Sequence, residues 1–183
     1  MKHFSFLLFL LFAFSALAQK IELPVDTLVT TGHSVNIKGI NINYTAQTGT
    51  QPVWNEAGIP VASLFYTYYK RSDIKNTENR PLVISFNGGP GSASVWMHIA
   101  YTGPRILKID NEGFPVQPYG IKENPYSILD VADIVYVNPV NTGYSRLINS
   151  EKEQRDYSEE LLFPAFRNTK PFVLRFPVLY LQQ

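Results

Sequence analysis

Apolar and polar residues form short alternating or continuous stretches along the chain, and these stretches predict strands. Alternation over residues 34–44 predicts a half-buried strand, with Gly39 as a bulge or a turn. The aromatic and β-branched run at residues 59–69 predicts a second strand. The run at residues 82–86 predicts a central buried strand, and residues 134–137 predict a parallel neighbour of it.

Segments between these runs predict loops, a hairpin and one helix. Residues 92–101 predict a short helix for which Ser92 or Ser94 is available as N-cap. The other segments are assigned as a loose leader (19–31), a turn-rich link (49–58), a charged surface loop (70–80), a hairpin (108–119) and a turn (139–145).

Residues 87–91 read Asn-Gly-Gly-Pro-Gly, directly after the strand at residues 82–86. Glycines clustered in this way let backbone N–H groups approach a ligand, because no Cβ blocks the way. A strand that leads into such a loop is a common way to hold an anion or a developing oxyanion. A plain turn is the simpler alternative. No Gly-Lys-Ser/Thr closes the loop and no Gly-x-Gly-x-x-Gly is present, so nucleotide-binding loops are not supported.

Three ordered motifs resemble the serine carboxypeptidases, an α/β-hydrolase family. The first is Pro-Leu-Val at residues 81–83 followed by Asn-Gly-Gly-Pro-Gly-Ser at 87–92. The second is Thr-Gly-Pro-Arg at 102–105. The third is Asn-Pro-Tyr-Ser at 124–127, then a strand, then Pro-Val-Asn-Thr-Gly-Tyr-Ser at 139–145. The resemblance covers about residues 60–146. It implies an α/β class and an incomplete α/β-hydrolase fold, a mixed sheet with antiparallel N-terminal strands followed by parallel strands.

The resemblance also implies roles for single residues. Gly89, with Gly88 beside it, matches the family loop that supplies a backbone N–H to the oxyanion hole. Asn87 and Gly88 match positions that bind the carboxylate of the substrate's C-terminus. Tyr101 occupies a substrate-binding position where the family has Glu, and this departure weakens the expectation of strict carboxypeptidase specificity. Asn141 replaces the usual Gly of the last motif, and Asn tolerates a positive φ there. No cofactor and no metal are expected.

The chain lacks the other half of a serine hydrolase site, which needs a nucleophilic Ser, a His base and an orienting acid. It has no Gly-x-Ser-x-Gly, and its histidines are His3, His33 and His98. We expect His98 to be a structural or surface residue and not a general base. After Arg146 the match to the family stops. We therefore expect residues 147–183 to be a divergent tail, produced by truncation or a frameshift.

Composition and the N-terminal sequence indicate the class of protein and its location. A hydrophobic content of 45% with 14% aromatic residues indicates a globular protein. A formal net charge of +1 gives no reason to expect a nucleic-acid partner. Residues 1–18 have the pattern of a secretory signal peptide cleaved after Ala18, which predicts a secreted or periplasmic protein with no membrane span after cleavage. Residues 19–146 then form the hydrolase-like domain.

Three functions remain open from the sequence. The leading one is the N-terminal part of a secreted serine carboxypeptidase-like hydrolase that removes C-terminal residues from peptides and is inactive alone. The second is a non-catalytic module that binds carboxylates or peptides. The third is an extracellular structural or surface-adhesion domain whose aromatic strands only form a core.

Overall fold

A mixed β-sheet dominates the computed structural model, which describes residues 27–54, 57–75, 79–87 and 91–148. Within these residues six strands form one sheet in the order β1-β2-β3-β7-β4, with β8 also paired to β3, and β5 and β6 form a separate ribbon. The strands are β1 (Leu28–Ile37), β2 (Ile40–Trp54), β3 (Pro60–Arg71), β4 (Leu82–Ser85), β5 (Arg105–Leu107), β6 (Ile121–Glu123), β7 (Asp133–Val137) and β8 (Arg146–Leu147).

The sheet begins with the antiparallel strands β1, β2 and β3. The single strand predicted at residues 34–44 is in fact parts of two strands, because Lys38 and Gly39 form a two-residue hairpin loop between Ile37 and Ile40. Both loop residues have positive φ, 52° and 84°. This is the backbone geometry of a type I′ turn, whose twist matches that of paired strands.

Strand β2 is longer than its sequence suggested. The link predicted at residues 49–58 was wrong for residues 49–54, which continue the pairing with β3. Gly49 is needed because a Cβ there would collide with the carbonyl oxygen of Thr27, and not because the chain turns. The predicted leader is likewise wrong for residues 28–31, which belong to β1. A long antiparallel neighbour supplies hydrogen bonds and burial that local composition does not reveal.

Strand β7 is an interior strand of the described sheet, whereas β4 lies at the edge of that sheet. It pairs antiparallel with β3 and parallel with β4, and all five of its residues are buried. Burial on both faces explains its continuous apolar sequence. Strand β4 pairs only with β7 among the described residues, and three of its four residues are half-buried. The prediction of a parallel pair is thus confirmed, but within the described residues β4 is an edge strand and not the central strand that was predicted.

Two apolar clusters cover the two faces of this sheet. Alternation along β7 places Val135 and Val137 in one cluster and Ile134 and Tyr136 in the other. The first cluster also contains Val53, Val61, Ala62, Leu64, Tyr66 and Tyr68, and the second also contains Val35, Ile37, Ile42, Tyr44 and Leu129.

Helical structure in the described residues is short. The helix predicted at residues 92–101 appears as a π-helical segment, Met97–Thr102, and neither Ser92 nor Ser94 caps it with a side chain. A 3₁₀ turn, Ile128–Asp130, is capped by the hydroxyl of Ser127. The predicted hairpin is present: Ile109 bridges to Pro115, and β5 and β6 extend the pairing.

No helix in the described part of the chain is long and apolar enough to cross a membrane. The predicted signal peptide and most of the predicted tail lie outside the described residues.

Candidate active-site loop

The glycine-rich loop leaves β4 at its carboxyl end. Gly88 and Gly89, the predicted oxyanion-hole residues, lie outside the described residues, whereas Asn87 is described and half-buried. The backbone N–H of Asn87 donates to the hydroxyl of Ser94 at 3.0 Å. That N–H is therefore engaged within the protein, and the loop glycines remain the candidates for donating to an oxyanion.

Ser94 follows the glycine-rich loop in sequence and contacts Asn87 before it. It is 1% exposed, and its hydroxyl donates to the carbonyl oxygen of Val137, the last residue of β7. Its backbone N–H donates to Oδ1 of Asn138 at 3.0 Å. Loops at the carboxyl ends of two neighbouring parallel strands are thus joined, and in open α/β sheets ligands bind at such ends.

The turn that follows β7 has the predicted shape. Asn141 adopts φ 61°, which confirms that Asn at this position supports the turn. Gly143 has φ 51°, and a Cβ there would collide with the side-chain amide of Asn138. Ser145 is fully buried, and its hydroxyl accepts from the N–H of Phe65 at 2.8 Å and donates to the carbonyl of Asn138 at 2.7 Å. Ser145 is therefore an internal anchor.

Tyr101, the other predicted substrate-binding residue, lies on the π-helical segment with its side chain 63% exposed. Its carbonyl oxygen accepts a hydrogen bond from Nδ2 of Asn124 at 2.8 Å, and the same nitrogen donates to the carbonyl of Gly103 at 2.8 Å. The buried Ser127 hydroxyl donates to the carbonyl of Thr102 at 2.9 Å. The Asn-Pro-Tyr-Ser motif therefore fixes the end of the helix that presents Tyr101.

Asn87 and Tyr101 are held by these two separate sets of hydrogen bonds. Sequence reasoning included Asn124 and Ser127 in a motif but missed the anchoring roles of Ser94, Asn138 and Ser145. The useful signal was that small polar residues follow both parallel strands closely. Short polar side chains in such places bond readily to nearby backbone groups.

His98 lies on the π-helical segment, and its side chain is part of an aromatic cluster with Tyr69 and Tyr136. Its ring stacks on Tyr136 with centroids 4.6 Å apart, and Nε2 shares a hydrogen bond with the hydroxyl of Tyr69. Burial lowers the pKa of His98 from 6.5 to about 4, and burial raises the pKa of Tyr136 to about 12. A neutral, half-buried imidazole bonded to a phenol fits the structural role expected for His98.

A cleft of about 310 Å³ lies beside this cluster. Its aromatic wall includes Phe65 and Tyr144, whose ring centroids are 5.1 Å apart, and Ser94, His98 and Asn138 border it. Among the residues that the structure describes, no three His, Cys, Asp or Glu side chains are grouped to hold a metal ion. The expectation of no metal and no cofactor stays a prediction.

Comparison with known proteins agrees with the motifs. The chain is 37% identical over 84 residues to carboxypeptidase Y homolog A of Pyrenophora tritici-repentis. The matched region covers 45% of this chain and 14% of that protein. It is 37% identical over 83 residues to serine carboxypeptidase-like 19 of Arabidopsis thaliana, covering 45% of this chain and 17% of that one. The chain thus spans about a sixth of the length of these relatives.

The fold has a solved counterpart in Kex1Δp, a prohormone-processing carboxypeptidase from Saccharomyces cerevisiae. The two structures match with a TM-score of 0.52 at 20% sequence identity, over 73% of this chain and 28% of that chain. The sequence model of the serine carboxypeptidase family matches residues 43–170, which is more than half of the chain. This match runs past Arg146, and the boundary drawn there stays a prediction. The chain therefore belongs to the serine carboxypeptidase family.

Proposed function

We propose that this chain supplies the oxyanion-stabilising and carboxylate-recognising part of a serine carboxypeptidase-like hydrolase that acts on peptide C-termini, and that its fold is part of an α/β-hydrolase fold. The observation that carries the proposal is the family's glycine-rich loop at the carboxyl end of β4, joined there to the end of β7. Backbone N–H groups in such a loop are suited to stabilising a tetrahedral oxyanion.

Within this proposal Gly89, assisted by Gly88, donates a backbone N–H to the oxyanion. Asn87 and Gly88 receive the terminal carboxylate of the peptide. Tyr101 stands exposed at the helix end where the family has a carboxyl group. A phenol in that place offers one hydroxyl and an aromatic face, so we expect the recognition of the terminal carboxylate to be less strict than in a carboxypeptidase that carries Glu there.

We propose further that these 183 residues do not hydrolyse peptides alone. The sequence has no nucleophile elbow, and after the predicted leader its histidines are His33 and His98. His98 stacks on Tyr136, and His33 lies on β1, where Nε2 is 2.7 Å from the hydroxyl of Thr31. Among the described residues, neither imidazole has the hydrogen-bonded serine that a general base in such an enzyme requires.

The test of this point combines turnover with active-site labelling. The purified chain is incubated with a blocked dipeptide and, separately, with a serine-reactive fluorophosphonate. We expect neither hydrolysis nor covalent labelling, because both need an activated serine. A single labelled serine together with turnover would mean that the chain has a nucleophile outside the family pattern, and would contradict the proposal.

Binding without chemistry is the second candidate function, favoured by the presence of the loop in a chain that lacks a nucleophile. N-benzoyl-phenylalanine carries a blocked amino group and a free carboxylate, and its amide is the matched control. We expect the acid to bind, the amide not to bind, and Gly89→Val to abolish binding, because a β-branched side chain blocks access to the loop N–H groups. Binding unaffected by Gly89→Val would favour the purely structural alternative.

A further inference from the structure

We infer that Ser94 and Asn138 are positioning residues that hold Asn87 in place for ligand binding. The inference rests on the proposed carboxylate-recognising role of Asn87 and concerns how that residue is fixed. Neither Ser94 nor Asn138 was assigned a role by the motifs. Both residues lie in the described part of the structure, and both form hydrogen bonds with backbone groups.

The hydroxyl of Ser94 uses both of its hydrogen-bonding capacities. Its proton is donated to the carbonyl of Val137, so the bond from the N–H of Asn87 at 3.0 Å must be accepted by the oxygen. A serine hydroxyl can do both at once, and an alanine can do neither. Only 1% of Ser94 is exposed, so leaving either bond unmade is costly. One side chain therefore sets the position of Asn87 relative to the end of β7.

Asn138 fixes Ser94 in turn. Its Oδ1 accepts from the backbone N–H of Ser94 at 3.0 Å, and its own backbone N–H donates to the carbonyl of Phe65 on β3 at 3.0 Å. The hydroxyl of Ser145 donates to its carbonyl. A continuous series of hydrogen bonds thus runs from β3 through Asn138 and Ser94 to Asn87.

This arrangement compensates for the weak lateral support of β4. Within the described residues β4 pairs with β7 alone, so the ladder fixes the strand on one side only. The link through Ser94 adds a second attachment immediately after the strand ends. Preorganised groups bind a ligand more tightly because less freedom is lost on binding.

The chain offers a matched control in Thr50, which lies on β2 outside the proposed site. It is 4% exposed, and its hydroxyl accepts from the backbone N–H of Thr27 at 3.0 Å and shares a second hydrogen bond with the Thr27 hydroxyl. Thr50→Val therefore removes a buried hydroxyl that binds a backbone N–H, but from a different place. Ser94→Thr and Asn138→Asp are conservative variants, because each keeps the atom that makes the positioning bond.

The experiment measures hydrogen exchange by mass spectrometry over residues 86–94 of the full chain, with and without N-benzoyl-phenylalanine. At a concentration ten times the wild-type dissociation constant, bound ligand should slow exchange about tenfold in the wild type. Loss of one positioning bond should weaken binding about tenfold. Ser94→Ala and Asn138→Ala should then show only about twofold slowing, whereas Ser94→Thr, Asn138→Asp and Thr50→Val keep the wild-type response.

The outcomes separate the inference from the function on which it rests. If N-benzoyl-phenylalanine does not slow hydrogen exchange in the wild-type loop, the proposed carboxylate recognition is contradicted, and the inference is contradicted with it. A wild-type response that persists in both Ser94→Ala and Asn138→Ala overturns the inference alone, and so does an equal loss in Thr50→Val. Exchange of a β7 peptide in the same samples reports whether each variant is folded. If Ser94→Ala does not fold, the comparison of Asn138→Ala with Asn138→Asp tests the inference.

Discussion

Burial sets the protonation state of His98. The folded protein lowers its pKa from 6.5 to about 4 because the ring is desolvated between Tyr69 and Tyr136. No carboxylate offsets this cost, since burial alone accounts for the shift. The imidazole is therefore neutral in the folded state at every pH above about 4 and becomes charged on unfolding below pH 6.5.

A pH-dependent loss of stability follows from this difference. Above pH 6.5 His98 is neutral in both the folded and the unfolded state, and its contribution to the free energy of unfolding is fully present. As pH falls from 6.5 to 4 the unfolded state takes up a proton that the folded state does not, so the free energy of unfolding should drop by about 3 kcal/mol. Urea titrations at several pH values measure this for the wild type and for His98→Gln. The difference between the two isolates His98 from carboxylates, and identical slopes would contradict the prediction.

The hydrogen bonds of Ser94 are a part of the site that could not be predicted from the sequence. The glycine cluster at residues 87–91 indicated the loop because its chemistry is local. Ser94 suggested an N-cap on the same local grounds. Its actual partners include Val137 and Asn138, more than forty residues away, and only the pairing of β4 with β7 brings them together.

Among the elements, strands with strong β-branched and aromatic runs were predictable, and strand limits were not. Strands β3 and β7 and the turn with Asn141 appear where the sequence placed them. The far half of β2 contains Gly49 and Pro52, which usually mark a loop, yet both pair with β3. Position in the sheet likewise depends on the order of pairing, which no single segment encodes, and this is why β4 was wrongly placed at the centre.

Strand pairing and burial are unevenly distributed over the described residues, and this distribution predicts which strands open first. Strand β7 is hydrogen-bonded on both sides and buried on both faces. Strand β4 has one neighbour among the described residues, and β6 is exposed along its whole length. Local opening is easiest where few buried contacts must break.

Native-state hydrogen exchange should therefore be slowest in β7 and β3, faster in β4, and fastest in the ribbon of β5 and β6. The reason is that β7 contributes residues to both apolar clusters, whereas neither cluster contains a residue of the ribbon. Mass spectrometry of peptides from each strand, sampled over exchange time, gives the order, with β7 as the internal reference. If β4 exchanged as slowly as β7, then its free side would be supported in solution as firmly as its paired side, and the proposed need for Ser94 as a second attachment would disappear.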